Sequence, residues 1–183
     1  TRPQKELTLT KPEKFPACSD MSEKMHISHP IPPVWNKNSR VLILGSFPSV
    51  KSRENGFFYG HRQNRFWKVL AAVFDFPVPE TIEEKKQLLL ENNIALWDVI
   101  AACDITGSAD SSIRNVKPND ILPIIMKSKI TAVFVNGNTA AKLYEKYLFP
   151  ETKVKATALP STSPANARFT LEMLAEKWSV IKL

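Results

Sequence analysis

The sequence predicts an α/β fold, a three-layer α/β/α arrangement around a central, mostly parallel, four-stranded sheet. Three observations lead there. Short continuous apolar runs recur along the 183 residues, helical patterns separate them, and each run ends in small or turn-forming residues. Unbroken apolar runs mark strands buried on both faces, and their alternation with helices implies parallel pairing through right-handed crossovers.

The elements follow in order. Residues 1–26 are rich in Lys, Glu, Ser, Thr and Pro and lack apolar periodicity, so they read as a polar extension unable to offset its own ordering entropy. Its charges nearly cancel, with Arg2, Lys5, Lys11, Lys14 and Lys24 set against Glu6, Glu13, Asp20 and Glu23. A single domain is expected over 27–183. His29-Pro30-Ile31-Pro32-Pro33 is an extended lead-in, because each proline fixes its own φ and restricts its predecessor. Strands are expected at Val41 to Leu44, Ile94 to Trp97, Ala132 to Val135 and Val154 to Leu159. Helices are expected at Arg65 to Phe74, Ile82 to Asn92, Ile121 to Lys127, Thr139 to Leu148 and Phe169 to Trp178.

Composition narrows the function. The formal charge of +7 sits in the body of the chain and points to an anionic partner, nucleic acid or an acidic membrane. No apolar run approaches the roughly 20 residues that span a bilayer, and no basic-then-apolar leader opens the sequence, so a cytoplasmic protein is expected. Cys18 and Cys103 match neither a metal spacing nor a disulfide framework and read as thiols. The five glycines form no phosphate loop and no dinucleotide turn, which argues against a nucleotide cofactor. Histidine occurs at 26, 29 and 61 only, and Gly45-Ser46-Phe47-Pro48 is no nucleophile elbow, so a serine hydrolase is disfavoured.

In open parallel sheets ligands bind beyond the carboxyl ends of the strands. Those positions hold Gly45-Ser46-Phe47-Pro48-Ser49, Asp98, Asn136-Gly137-Asn138 and Pro160 to Asn166. Each set alone makes turns and caps; four together suggest one site. Gly45 permits close backbone approach, and Ser46 and Ser49 can donate to phosphate or base oxygens. Between the first two strands, Gly56 to Trp67 interleaves Tyr59, His61, Asn64 and Phe66 with Arg62 and Arg65. Aromatic faces can sandwich an unstacked base while cations hold the flanking phosphates, although Phe66 and Trp67 also fit the core of the next helix. Lys51, Arg53, Arg62, Arg65, Lys68 and Arg168 are candidate phosphate contacts as a set, each singly reading as a solvated surface charge, and Ser161, Ser163, Pro164 and Asn166 of the last loop are further candidates.

Taken in order, these motifs resemble the uracil-DNA glycosylase superfamily, and within it the hypoxanthine-DNA (deoxyinosine) glycosylase branch. Gly45 to Ser49 resembles the first active-site loop, Tyr59 to Trp67 the branch signature, Leu96 to Val99 and Phe134 to Gly137 the next two strands, and Leu159 to Asn166 the DNA-side loop. The resemblance runs from about Pro30 to the C-terminus and implies excision of hypoxanthine or uracil from double- or single-stranded damaged DNA by a monomer without cofactor or metal. It departs from the best-known uracil enzymes at Phe47, where they carry an Asp that handles the attacking water and the mismatch-specific branch carries an Asn. A phenyl ring cannot do this, and the branch pattern moves the role to Asn64. The substrate-binding set that the resemblance implies is Gly45, Ser46, Phe47, Pro48, Ser49, Tyr59, His61, Phe66, Asp98 and Asn136. One Asn side chain can meet the adjacent N–H and C=O of either base, and Asn136 or Asp98 is the candidate; Asn136 equally suits a strand-end turn with Gly137. A nucleic-acid-binding module that has lost its chemistry and a free-nucleoside hydrolase are the alternatives.

Overall fold

The computed structural model describes residues 25–106 and 110–183. Four parallel strands, β2 (Val41–Gly45), β3 (Ile94–Asp98), β6 (Ala132–Asn136) and β7 (Ala156–Leu159), form a sheet in the order β3-β2-β6-β7. Every residue of β2 is buried because the strand is paired on both sides and covered on both faces. Alternation splits the covering into two cores. Val41 and Ile43 pack with Ile94, Leu96 and Phe134 under α2 (Phe66–Phe74), α3 (Ile82–Glu91) and α7 (Leu171–Trp178). Leu42 and Leu44 pack with Val133 and Val135 against α4 (Leu122–Lys127) and α5 (Asn138–Tyr147). The three layers are those expected, and each predicted strand and helix is present with its ends moved by two residues at most.

Other elements are new. An antiparallel sheet, β1-β4-β5, joins β1 (Met25–Ser28), β4 (Ile100–Ile105) and β5 (Arg114–Pro118). Met25 and His26, assigned above to the polar extension, pair with Ile105 and Asp104 and so belong to this sheet. The strand is mostly exposed and too short for its alternation to register in the sequence. Residues 1–24, with Cys18, lie outside the described set, while Cys103 is buried in β4. Two further short helices are α1 (Val50–Asn55) and α6 (Phe149–Thr152). Among the described residues no helix is long and apolar enough to cross a membrane.

Topology places the ligand crevice. From β2 the chain passes to β3 on one flank and later returns to β6 on the other, so the order reverses at the carboxyl end of β2.

Candidate active site

At that end a cavity of about 470 Å³ opens, in the range typical of small-ligand sites. Its wall draws on the four expected strand-end loops: Gly45 to Ser49, Asp98, Asn136 and Ser161 to Ala165, with Lys51, Phe58, Tyr59, His61 and Asn64 from the intervening segment. One substrate-binding candidate does not line it, and two candidates for backbone contact lie apart from it. Phe66 is fully buried beneath Tyr59, its ring stacked at 3.9 Å, so it supports the wall from behind. Arg62 and Arg168 lie outside the cavity on the exposed surface.

The first loop is held by its carbonyls. Gly45 O accepts from Val99 N at 2.9 Å and Ser46 O from Ile100 N at 3.1 Å. In trans peptides the N–H opposes the C=O, so the N–H groups of Ser46 and Phe47 point away from this corner. Asn119 locks the corner by donating its side chain to Asp98 O and Ile100 O. Ser49 caps α1, and buried Ser52 accepts from Gly60 N, which ties α1 to the loop that carries Tyr59. Phe47 packs beside His29, at 5.9 Å edge to face, with the Arg53 guanidinium over its ring at 5.7 Å from the centroid.

Asn64 Oδ1 accepts two hydrogen bonds, from Phe66 N at 3.0 Å and from Thr162 Oγ1 at 2.9 Å. The first closes a turn onto the leading N–H of α2, ahead of its N-cap Arg65; both together use the two lone pairs of the amide oxygen. Thr162 in turn accepts from Asn136 Nδ2 at 2.9 Å and donates its backbone N–H to Asn136 Oδ1 at 3.1 Å. Asn136 is therefore engaged at both ends of its amide, and its turn role with Gly137 is combined with a clamp on the last loop. Gly137 permits this: its φ is +89°, and a Cβ there would sit 2.9 Å from Ser161 Cβ.

Arg65 serves the same loop. Its guanidinium donates to the carbonyls of Thr162, Ser163, Asn166 and Phe169, and is thereby committed to the protein, not to a phosphate. Asn166 turns inward to Ser161 O, and Ser161 and Ser163 each accept a local backbone N–H, which leaves Pro164 and Ala165 as the exposed tip. We expect Arg65→Ala to destabilise the fold by about 3 kcal/mol, since four buried-side acceptors lose a charged donor. Arg65→Lys should restore little, because an ammonium cannot fork across them. Thermal unfolding of both variants measures this; a loss below about 1 kcal/mol would return Arg65 to the DNA-contact set.

Sequence reasoning missed two residues. Thr162, fully buried, joins Asn64 to Asn136. His29 donates from Nε2 to Asp98 Oδ2 at 2.8 Å, with both side chains nearly inaccessible. Neither had a sequence signal, because each acts on a partner 26 to 98 positions away.

Comparison with known proteins agrees with this architecture. The family model of the uracil DNA glycosylase superfamily matches residues 32–182. A protein of Methanosarcina acetivorans named hypoxanthine DNA glycosylase is 36% identical over 160 residues, covering 85% of this chain and 98% of its own. Its Methanosarcina barkeri namesake is 32% identical over 142 residues, covering 75% and 87%. A solution NMR structure of a Methanosarcina acetivorans chain, 32% identical, superposes with a TM-score of 0.73 over 86% of this chain and 98% of that one. With its strand order, its cavity at the switch point and a match across nearly the whole described body, this chain belongs to the uracil DNA glycosylase superfamily.

Proposed function

We propose that the chain is a monofunctional DNA glycosylase that takes a deaminated base, hypoxanthine foremost, from DNA into the strand-end cavity and hydrolyses its bond to deoxyribose. The observation that carries the reading is the immobilised amide of Asn64 in the cavity wall. Both lone pairs of its oxygen are used, and its Nδ2 makes no hydrogen bond to the described residues, so its two N–H donors are available to hold a water by the oxygen. The names of the Methanosarcina relatives support the choice of base.

The chemistry then follows. The bond from C1′ to the base nitrogen lengthens first, giving a sugar with oxocarbenium character and a base that carries negative charge. Water held by Asn64 bonds to C1′, and its proton ends on the departing base. An amide cannot abstract that proton, so the help is positional, and the N–H groups of Ser46 and Phe47 stabilise the charge on the base. No cofactor enters this scheme. A flipped nucleotide leaves a gap in the helix, and the exposed Pro164-Ala165 tip is the part of the last loop free to fill it.

Duplexes bearing one deoxyinosine, deoxyuridine or deoxyxanthosine, incubated and then treated with alkali, test the reading. Strand breaks at deoxyinosine are expected. Tight lesion binding without breaks at any of the three would instead indicate a binding module, and release of hypoxanthine from free inosine would indicate a nucleoside hydrolase. We infer that the protein acts as a monomer in the DNA-containing compartment, and that Lys51, Arg62, Lys68 and Arg168, all exposed, supply the phosphate contacts. With about four such contacts, log K for duplex binding should fall against log salt with a slope of roughly −3 to −4, measured by fluorescence anisotropy; a flat plot would remove these residues from the interface.

A further inference from the structure

Thr162 engages both asparagines of the cavity wall. Its backbone N–H donates to Asn136 Oδ1 at 3.1 Å, its Oγ1 accepts from Asn136 Nδ2 at 2.9 Å, and the same Oγ1 lies 2.9 Å from Asn64 Oδ1. The side chain has no accessible surface, so it acts through what it holds. Anchoring the loop does not require its hydroxyl. Arg65 already grips that segment through four carbonyls, and Trp178 ties it at Pro160 O.

The direction of every bond in this chain is fixed. A backbone N–H can only donate, so Thr162 N sets the Asn136 amide with its oxygen toward the loop backbone and its Nδ2 toward Oγ1. Nδ2 can only donate as well. It occupies a lone pair of the hydroxyl and leaves the hydroxyl proton to point elsewhere. Phe66 N, a second obligate donor, sets the Asn64 amide with its oxygen inward, and the Thr162 proton goes to that oxygen. Polarity thus runs one way, from the Asn136 amide through the Thr162 hydroxyl to the Asn64 carbonyl.

This polarity bears on the reacting centre. An amide turned by half a rotation about its last bond exchanges Oδ1 for Nδ2. Turned so, Asn64 would press an N–H against the N–H of Phe66 and leave the Thr162 proton without that acceptor. The group facing the cavity would then be an acceptor in place of the two donors that hold water by its oxygen. In a buried site each donor left unpaired costs its full desolvation, which weighs heavily against the turned form.

We propose that Thr162 is a positioning residue for base release: its hydroxyl, oriented by Asn136, holds the Asn64 amide in the orientation that turns both N–H donors into the cavity. This rests on the glycosylase reading above and adds to it a link between loop and chemistry. The residue that sets Asn64 belongs to the segment that carries Pro164 and Ala165. A loop displaced from its place takes the hydroxyl with it, and Asn64 loses one of its two pins.

Wild type, Thr162→Val, Asn64→Ala and the double variant, compared under single turnover on a deoxyinosine duplex, form a double-mutant cycle. Valine keeps the shape of threonine and deletes the hydroxyl. At saturating enzyme, Thr162→Val should release hypoxanthine about tenfold more slowly with an unchanged half-saturating concentration, and Thr162→Ser should restore the rate. Added to Asn64→Ala, the same change should alter the rate by no more than about twofold, because the group it positions is gone. Equal fold losses in both backgrounds would overturn the inference by showing that Thr162 acts on the loop alone. So would a folded Thr162→Val protein that keeps the wild-type rate. Should Thr162→Val fail to fold, Asn136→Asp closes the cycle: a carboxylate oxygen in place of Nδ2 accepts the hydroxyl proton and turns it away from Asn64. Its loss of rate should likewise shrink in the Asn64→Ala background. An undiminished loss there would overturn the inference, since a contact of this side chain with the base persists without Asn64. A wild type that releases no base strikes the glycosylase reading itself.

Discussion

On the proposed mechanism, Asn64→Ala should lower the single-turnover rate of hypoxanthine release by about a thousandfold, the scale seen when one preorganised donor is removed from a reacting centre. The side chain has two duties, and a second variant separates them. Its Oδ1 accepts from the leading N–H of α2 at Phe66 and anchors Thr162, so alanine also removes hydrogen bonds worth about 1 kcal/mol each. Asn64→Asp keeps an oxygen at that position and should retain the wild-type Tm. A loss of stability of that size leaves nearly all the enzyme folded at 25 °C, too little to account for the rate. Measured rates of Asn64→Ala within tenfold of wild type would transfer the water to another group.

Gly45→Ala should abolish base release and cost about 3 kcal/mol of stability, a large effect for one methyl group. The new Cβ would meet Asp98 Oδ1 at 2.2 Å and Tyr59 Oη at 3.0 Å. The strand cannot move aside, because β2 is hydrogen-bonded to β3 on one flank and β6 on the other and every one of its residues is buried. Asp98 must swing instead, which breaks its 2.8 Å contact with His29 and strands a polar pair in the interior. Thermal unfolding and the deoxyinosine assay read the two effects together. A Gly45→Ala protein with wild-type Tm and rate would show that Asp98 has room the structure does not provide.

The parallel sheet was legible because β2, β3 and β6 are apolar runs that only burial on two faces accommodates. The antiparallel sheet was not. Ile100–Ile105 follows Ile94–Asp98 after a single residue, so two strands of different sheets read as one apolar stretch, and Arg114–Pro118 is polar along most of its length. The cavity was legible as a set of strand ends, since topology alone brings Gly45, Asp98, Asn136 and Ser161 together. Charge was the poorer guide. Arg65 looked like a phosphate ligand by composition, yet its planar fork matches four carbonyls of the last loop, and nothing local in the sequence distinguishes the two uses. Phe66 likewise has the aromatic character of a base sandwich but lies one layer too deep.

Asn64 and Arg65 are consecutive, and both hold the segment from Thr162 to Phe169, one through a hydroxyl and the other through four carbonyls. Trp178 adds a third tie from α7, donating to Pro160 O at 3.0 Å. The segment is thus built as a fixed template continuous with the protein interior. On the proposed reading, in which this segment meets the double helix, the partner that yields on binding is the duplex. Its local stiffness around the lesion, a property of neighbouring base steps that no side chain need touch, would then become part of what the enzyme senses.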